Sequence, residues 1–287
     1  MNIGYVGLDS SHAEHLMKMI NVDRPAGLPE GRFTHMWGRD ADRAAELREK
    51  CGTANIAASP EAMVGKVDAV VVGARAGDRH LAEARPFLEA GMAVFVDKPF
   101  TNDLADAEAI VDLAARHGAR VTSFSGLRVV PEVVAFKADY AAIEAEKYGG
   151  SISGHADKDN PYGGWYFYAV HAIELLLECF NGQACGQVLA AEIGKQFHVR
   201  AALDDGQVVS ILLSPKYPPF SLAGYADHKT IQAVVPLGGM QMEVARRVLA
   251  FLHGADDLSP RDLLAPLTVM EAVRESLRTG KPAAFET

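Results

Sequence analysis

The chain has 287 residues, of which 49% are hydrophobic and 23% charged, a balance typical of globular proteins and too apolar for extensive disorder. Its formal net charge of −9, without a cluster of Lys and Arg, argues against a protein that binds duplex nucleic acid. Three scattered cysteines without a Cys-x-x-Cys pair predict neither a disulfide framework nor a thiolate metal site. The chain shows no basic leader and no apolar stretch long enough to span a membrane, so we expect a cytoplasmic protein without a membrane partner.

In the first half of the chain, short apolar runs alternate with helical segments. The predicted strands are 2–7, 33–37, 54–57, 67–73, 93–96 and 121–123. The predicted helices are 13–20, 41–50, 79–90 and one that begins after Thr101 or Asn102, has Leu104, Ala107, Val111 and Ala114 on one face, and ends at Gly118. Ser59-Pro60-Glu61 is a further helix-start signal. Alternation at this spacing predicts parallel β-α-β crossovers in a doubly wound α/β sheet, a Rossmann-type domain over 1–122.

The second half has a different pattern of segments. It predicts a helix over 131–146, a break at Gly149-Gly150, a strand over 151–156, an apolar helix that ends at Asn181-Gly182, strands over 188–193, 197–203, 208–214 and 230–235, and helices over 242–253 and 260–279. Asp204-Asp205-Gly206 is typical of a hairpin turn, and the strands follow one another as hairpins would. Residues 123–287 are therefore expected to form an α+β domain on a largely antiparallel sheet.

The first strand runs into a glycine turn and a helix, which is how a dinucleotide-binding unit opens. The glycine pattern that begins at Gly7 is degenerate, because Asp9 and His12 stand at its second and third glycine positions. A carboxylate at the second position would repel a pyrophosphate. Ser10 and Ser11 nevertheless offer hydroxyl and amide groups at a helix N-terminus, where anions bind.

The end of the second strand is where the adenosine ribose of a dinucleotide lies. An acid there favours NAD, whereas an arginine without that acid can pair with a 2′-phosphate. Gly38 followed by Arg39 therefore leans toward NADP. It is equally open that Arg39 only caps or solvates the next helix.

A short buried-type strand, 93–96, is followed at once by Asp97, Lys98 and Pro99. Because proline cannot donate to a sheet ladder, the strand must stop there, which leaves Lys98 on a bend at the carboxyl end of a strand. Open α/β sheets place their ligands at this edge. The alternative is a solvated lysine that ends an ordinary strand.

Together these features resemble the family of glucose–fructose oxidoreductase and inositol dehydrogenase. The resemblance rests on the glycine turn, on 70–75 with His80 ahead of a glycine-closed helix, on Asp97-Lys98-Pro99 where the family has Glu-Lys-Pro, on Arg128 in 126–131, on His171 and Glu174 of one helix, and on the closing helix 269–281. It implies an NAD(P)-dependent oxidoreductase that acts on a sugar, cyclitol or polyol held between a nucleotide-binding domain and a sheet domain. It also implies a homo-oligomer, a dimer or tetramer formed through that sheet.

The resemblance implies site residues as well. The cofactor would contact Gly7, Asp9, Ser10, Ser11, His12, Gly38, Arg39, Gly73, Ala74, Arg75, His80, Asp97, Lys98 and Pro99, and the substrate Arg128, Trp165, Tyr166, Tyr168 and His171. Lys98 suits stabilisation of a developing oxyanion, and His171, with an ordinary pKa near ~6.5, suits proton transfer. Tyr168 lies three residues earlier, on the same helix face, and is equally open to relaying or replacing that transfer or to a structural role.

Several of these residues have a plainer alternative. His171 taken alone is typical of a buried structural histidine, and Trp165 and Tyr166 favour core packing over stacking on a sugar. His80 is open to a helix-cap role, and Arg75 and Arg128 to ordinary ion pairs. His12 and His15 with Asp9 lack a fourth ligand, so no metal is expected.

One departure from the family opens the function itself to other readings. Members that oxidise a secondary alcohol carry an aspartate four residues before the histidine, where this chain has Phe167. The missing carboxylate and the altered glycine turn favour a non-catalytic nucleotide-binding sensor as an alternative. A second alternative is a lyase or glycosidase that keeps a bound NAD as a redox helper.

Overall fold

The computed structural model describes residues 1–180, 185–216, 218–236 and 238–287. The chain forms two compact units, the first made of Met1–Phe124 and Gln241–Leu258 and the second of Ser125–Met240 and Ser259–Thr287. The segment 241–258, which the sequence analysis placed in the C-terminal domain, thus belongs to the first unit. The assignment of 1–122 to the nucleotide and 123–287 to the substrate stays a prediction.

The first unit is an alternation of strands and helices. Its strands are β1 (Asn2–Val6), β2 (Arg32–Trp37), β3 (Asn55–Ile56), β4 (Ala69–Val72), β5 (Ala93–Val96) and β6 (Arg120–Thr122), and its helices up to residue 124 are α1 (Ser11–Lys18), α2 (Ala41–Cys51), α3 (His80–Glu89) and α4 (Leu104–His117). The strands run parallel in the order β3-β2-β1-β4-β5-β6, so the predicted doubly wound sheet is confirmed. The strand order reverses between β1 and β4, and crevices for ligands open at such a point.

Helix boundaries differ from the predictions where a stronger cap was available. Helix α4 is capped by Asp103, whose carboxylate accepts from the amide of Ala105 at 2.8 Å, and not by Thr101 or Asn102. The Thr101 hydroxyl donates instead to the carbonyl of Asp103 at 2.5 Å. The predicted C-terminal Gly118 is confirmed, in the left-handed conformation. The fully buried residues of α4 are Ala107, Ile110, Leu113 and Ala114, whereas Leu104 and Val111, predicted on the same face as Ala107 and Ala114, are half-buried.

Other predicted helices are shorter or end differently. The signal at Ser59-Pro60-Glu61 opens only a single 3-10 turn, Glu61–Met63. Helix α1 is extended by a π-helical turn, Met19–Asp23, which ends at Arg24 in the left-handed conformation.

The second unit is built on a mixed sheet. In chain order the elements after residue 124 are α5 (Pro131–Ala141), β7 (Lys147–His155), α6 (Tyr166–Cys179), β8 (Cys185–Ile193), β9 (Gln196–Leu203), β10 (Val208–Ser214), β11 (Phe220–Ala226), β12 (Lys229–Val235), α7 (Gln241–Leu252) of the first unit, α8 (Pro260–Thr279) and β13 (Ala283–Glu286). The strand order is β12-β11-β7-β10-β9-β8-β13. All pairs among the described residues are antiparallel except β7 with β10, so the largely antiparallel sheet is confirmed. The predicted hairpin succession is confirmed from β8 through β9 to β10 and is wrong after β10, whose other neighbour is β7.

The predicted break at Gly149-Gly150 lies inside β7. Any side chain there would collide with neighbours, because a Cβ on Gly149 would lie 2.6 Å from the carbonyl carbon of Val208 and one on Gly150 2.5 Å from the Phe180 ring. Glycine at these two positions therefore permits close packing and does not interrupt the strand. Helix α5 ends at Ala141, five residues before the predicted end. The predicted end of α6 at Asn181-Gly182 lies outside the described residues.

Helix α6 forms the core of the second unit. Eleven of its fourteen residues are buried, as expected of a helix that is apolar on all sides. Glu174 is one of the eleven, with only 4% of its surface exposed. A buried carboxylate needs hydrogen-bond donors, and those of Glu174 belong to the site described below. Among the described residues, no helix is both long and apolar enough to cross a membrane.

Candidate functional site

The glycine turn after β1 is closed against the loop that follows β4. Gly7 has φ +86°, and a Cβ on it would lie 2.5 Å from the Cα of Ala74. Its amide donates to the carbonyl of Trp37 at 2.9 Å, and the amide of Gly73 donates to the carbonyl of Val6 at 2.7 Å. Gly7 thus lets three chain segments meet at the carboxyl edge of the sheet, which a larger residue would force apart.

The N-terminus of α1 has a side-chain cap. Ser10 caps the helix by accepting from the amide of His12 at 3.2 Å, and Ser11 is the first helical residue. Asp9, the residue at the second glycine position, accepts from the amide of Arg75 at 3.1 Å and pairs with the guanidinium of Arg79. Its charge is therefore compensated by the loop after β4. The repulsion that Asp9 would exert on a pyrophosphate is reduced accordingly.

The Asp97-Lys98-Pro99 bend follows β5 at the same edge. Lys98 is 8% exposed, and the peptide bond between Lys98 and Pro99 is cis. The amide of Asp97 donates to the carbonyl of Val72 at 2.8 Å, and its carboxylate lies 2.7 Å from Nδ1 of His12. Although burial would raise the pKa of the Asp97 carboxyl, His12 and Lys98 hold it well below its usual range. The side-chain contact between Asp97 and His12 thus joins the first turn of α1 to the lysine bend.

His80 is completely buried and connects two of the segments that form this edge. Its ring nitrogens lie 3.0 Å from the carbonyl of Phe100 and 2.8 Å from that of Ala74. The imidazole thereby ties the loop after β4 to the segment after β5. Among the described residues, no group of three or more His, Cys, Asp or Glu side chains is placed to hold a metal ion.

A cavity of about 280 Å³ lies beside the ends of β1 and β2, lined in part by Gly7, Trp37 and Arg39. Arg39 is 61% exposed, and its guanidinium lies 3.6 Å from Glu83 of α3. It does not cap α2, because the carboxylate of Asp40 accepts from the first amides of that helix. The helix cap is therefore wrong for Arg39, and a solvated side chain and a partner of a 2′-phosphate both stay open.

In the second unit the polar residues converge on Ser125. Its hydroxyl lies 2.6 Å from Nδ1 of His171 and accepts from the amide of Leu127 at 3.2 Å. Its amide donates to the carboxylate of Glu174 at 2.8 Å. Ser125 is completely buried, so these bonds fix the ring of His171 on the side of Nδ1.

Aromatic rings surround His171. The ring of Tyr168 lies 6.2 Å away between centroids, on the same side of α6 as its spacing predicts, and that of Phe220 lies 5.7 Å away. The ring of Tyr168 also lies 4.4 Å from that of His155 between centroids. Burial lowers the pKa of the His155 imidazole. Phe167, at the position of the family aspartate, is 4% exposed.

Arg128 is held by two carboxylates and is not a surface residue. It is 11% exposed, and its Nε donates to Glu178 at 2.7 Å while Glu174 lies 3.5 Å away. Burial opposes its charge, but the two carboxylates raise the pKa of Arg128 above its ordinary value. The Arg128 guanidinium therefore orients the carboxylate of Glu174, which accepts from the amide of Ser125.

The remaining aromatic candidates pack in the core. Trp165 lies 6.0 Å from the Phe197 ring, and Tyr166 is 6% exposed with its hydroxyl 3.4 Å from the carbonyl of Met270. Core packing, the stronger alternative in the sequence, describes both. Their contact with a substrate stays a prediction, as do the other residue roles.

Sequence reasoning missed Glu83 and Ser125. Glu83 stands on the buried face of α3 with Ala84, Phe87 and Leu88, and a carboxylate among apolar residues is a signal that could have found it. Ser125 gave no such signal, because a serine at the start of a 3-10 turn is usually only a cap.

Comparison with known proteins places the first unit. Residues 1–125 match the model of the oxidoreductase family with an NAD-binding Rossmann fold. UDP-N-acetylglucosamine 3-dehydrogenase from Acidithiobacillus ferrooxidans is 30% identical over 114 residues, which are 40% of this chain and only 33% of that protein.

Solved structures match over nearly the whole chain. GenD2 from gentamicin A biosynthesis, in complex with NAD, has a TM-score of 0.86 at 17% identity and covers 100% of this chain and 97% of its own. Scyllo-inositol dehydrogenase from Lactobacillus casei, with bound NAD(H) and scyllo-inositol, has a TM-score of 0.81 at 14% identity and covers 99% and 98%. At such identities the likeness shows the fold. The match over residues 1–125 supports the resemblance of the chain to the family of glucose–fructose oxidoreductase and inositol dehydrogenase that its motifs indicate.

Proposed function

We propose that this chain transfers a hydride between a nicotinamide dinucleotide and a hydroxyl-bearing carbon of a sugar, cyclitol or related polyol. The observation that carries the proposal is the carboxyl edge of the first sheet, where the Gly7 turn, the N-terminus of α1 and the Lys98 bend lie together in a unit whose residues 1–125 match the family model. Scyllo-inositol and UDP-N-acetylglucosamine, named for two similar proteins, both carry ring hydroxyls, which supports this substrate class.

The residues at this edge fit a dinucleotide. Gly7 provides a turn that a Cβ would fill, and Ser10 and Ser11 begin a helix whose first amides suit a pyrophosphate. The cavity beside Trp37 would take the adenosine. When bound, the nicotinamide supplies or accepts the hydride.

Lys98 is assigned the stabilisation of the substrate oxygen. It is a cation at the carboxyl end of a strand, almost removed from water, where a charge stabilises a developing oxyanion far more than it would in solvent. The His12–Asp97 pair beside it orders the backbone from which the lysine projects.

His171 is assigned the transfer of the substrate's hydroxyl proton. In the direction of alcohol oxidation, Nε2 accepts the hydroxyl proton while Nδ1–H donates to the oxygen of Ser125; in the reverse direction Nε2–H donates. Ser125 acts through His171 and is a positioning residue. Tyr168 is placed to relay the proton or to replace His171 in its transfer.

Two further predictions belong to this proposal. Gly38-Arg39 taken alone favours NADP over NAD, although in the structure Arg39 lies close to a carboxylate. A homo-oligomer formed through the second sheet is supported by exposed apolar side chains on its strands, Val208, Leu212, Tyr225 and Val234. Light scattering behind a sizing column tests it, and a monomer at micromolar concentration contradicts it. The cytoplasmic location stays a prediction.

A specific observation favours one other candidate function. Phe167 is buried where alcohol-oxidising members carry an aspartate, which is consistent with a sensor that binds nucleotide without turnover. A lyase or glycosidase with a bound NAD predicts turnover without net NADH and retention of the nucleotide through purification.

The test is a titration with NADH and NADPH followed by nucleotide fluorescence, then a screen of polyols and keto-sugars for a change in nicotinamide absorbance. Lys98→Met should bind nucleotide and lose turnover, and Lys66→Met, which changes an exposed lysine of the same unit, is the matched control. Binding without turnover across the panel supports the sensor, and failure of the folded protein to bind either nucleotide contradicts the proposal.

A further inference from the structure

The cavity beside β2 contains three carboxylates, and they differ in what holds them. Asp9 accepts from the amide of Arg75 and the guanidinium of Arg79. Asp40 accepts from the amides of Asp42 and Arg43 at the start of α2, at 3.0 Å each. The structure thus supplies hydrogen-bond donors for both of these carboxylates.

Glu83 is the exception among the three. Its side chain is 3% exposed and lines the same cavity, yet neither carboxylate oxygen has a hydrogen-bond partner. The nearest described ion-pair partner is Arg39, at 3.6 Å, too far for a hydrogen bond. A buried carboxylate without donors is costly, so its presence calls for a ligand that supplies them.

The surroundings of Glu83 describe what that ligand must offer. Nε of Arg79, on the preceding turn of the chain, is also buried without an acceptor. A ribose hydroxyl both donates and accepts, so a vicinal diol can satisfy a carboxylate and a guanidinium N–H together. The end of β2, where an acid would take this diol, carries Gly38 and Arg39 instead.

We propose that Glu83 accepts hydrogen bonds from the adenosine ribose hydroxyls of the cofactor and makes the site prefer NAD(H) over NADP(H). This inference rests on the proposed function. A 2′-phosphate would replace one of the two donors by a negatively charged group next to a buried carboxylate. It would also have to draw Arg39 away from Glu83, and Arg43 and Arg79 are already paired with Glu14 and Asp9. The inference therefore reverses the preference that Arg39 alone indicates.

A purely structural role for Glu83 makes a different prediction. If the carboxylate served the fold by balancing Arg39, Arg79 and His80, its neutralisation would destabilise the protein. If it is held in place for a ligand, neutralisation removes a buried charge without donors, and stability without nucleotide is unchanged or higher. Burial raises the pKa of the Glu83 carboxyl despite Arg79 and His80, which is consistent with the second case.

The experiment compares the wild type with Glu83→Gln, and with Glu89→Gln on the exposed side of the same helix as the matched control. NADH and NADPH are titrated into each protein by calorimetry, and thermal unfolding is followed without nucleotide. We expect the wild type and the control to bind NADH at least about tenfold more tightly than NADPH, and Glu83→Gln to reduce that ratio about tenfold or more, because a charge-assisted hydrogen bond is lost.

Each outcome decides one question. An unchanged ratio in Glu83→Gln, or a wild type that prefers NADPH, overturns the inference and leaves the oxidoreductase proposal standing. A Glu83→Gln protein with a clearly lower unfolding temperature than Glu89→Gln shows a structural carboxylate and also overturns it. If the folded wild type binds neither nucleotide, the proposed function itself fails.

Discussion

The Gly7 turn gives the sharpest prediction about the fold of the site. In Gly7→Ala the residue keeps φ near +86°, which costs an L-residue about 1–2 kcal/mol. Its Cβ also lies 2.5 Å from the Cα of Ala74, and because that contact is with backbone, relief requires one segment to move, at a further cost of about 1–3 kcal/mol. The expected loss in the free energy of unfolding is about 2–5 kcal/mol.

The matched control is Gly65→Ala, which has φ +77° and no heavy atom within 4 Å of the new Cβ. It carries the same backbone strain without the overlap, so its loss should stay near about 1–2 kcal/mol. Urea unfolding by circular dichroism measures both variants, and NADH titration should show weaker binding for Gly7→Ala alone. Equal losses in the two variants would refute the argument that close approach, rather than conformation, selects glycine at position 7.

Three further predictions concern the Lys98 bend of the first unit and the contact between Ser125 and His171 in the second. Lys98→Met should bind NADH like the wild type, but its rate of hydride transfer in single turnovers should fall about a hundredfold or more, because the charge at the substrate oxygen is gone. An unchanged rate would remove Lys98 from the mechanism. Ser125→Ala should remove the hydroxyl beside Nδ1 of His171, lower kcat about tenfold and shift the pH profile of kcat, whereas an unshifted profile would indicate a structural serine. The pKa of Asp97 lies below its ordinary value of 3.8 because His12 and Lys98 favour the carboxylate, so this carboxylate stabilises the fold above that pH and loses the effect as the pH falls through the lowered value. Asp97→Asn should therefore flatten the acid limb of the stability profile, and a limb as steep as the wild type's would contradict the pairing.

The first half of the fold was predictable because its strands are buried on both faces. The run Val70-Val71-Val72 and the four residues of β5 are apolar throughout, without alternating polar residues. Strands of a parallel sheet that is covered by helices on both faces need such continuous apolar runs. The second half was less predictable. Strand β11 contains Ser, Ala and Gly and follows Pro218-Pro219, so β-propensity gave no signal, and its place in the sheet is set by pairing with β7 and β12.

The site was predictable where geometry follows from the end of a strand. Asp97 and Lys98 directly follow β5, so they lie at the carboxyl edge of the sheet whichever residues surround them. The contact between Asp97 and His12, 85 positions apart in sequence, could not be read from the chain because it depends on how β5 lies against α1. The same is true of Asp9, which seemed to exclude a phosphate until the loop after β4 brought Arg79 to it.

The most direct test of the account uses NADH that carries deuterium on the transferring side of C4, incubated with the protein and keto-derivatives of cyclitols and sugars. Mass spectrometry then locates the label. The account predicts deuterium on the new carbinol carbon, its transfer lost in Lys98→Met. Nucleotide binding with no label in any product would contradict it, and the chain would then be a nucleotide-binding protein without hydride transfer.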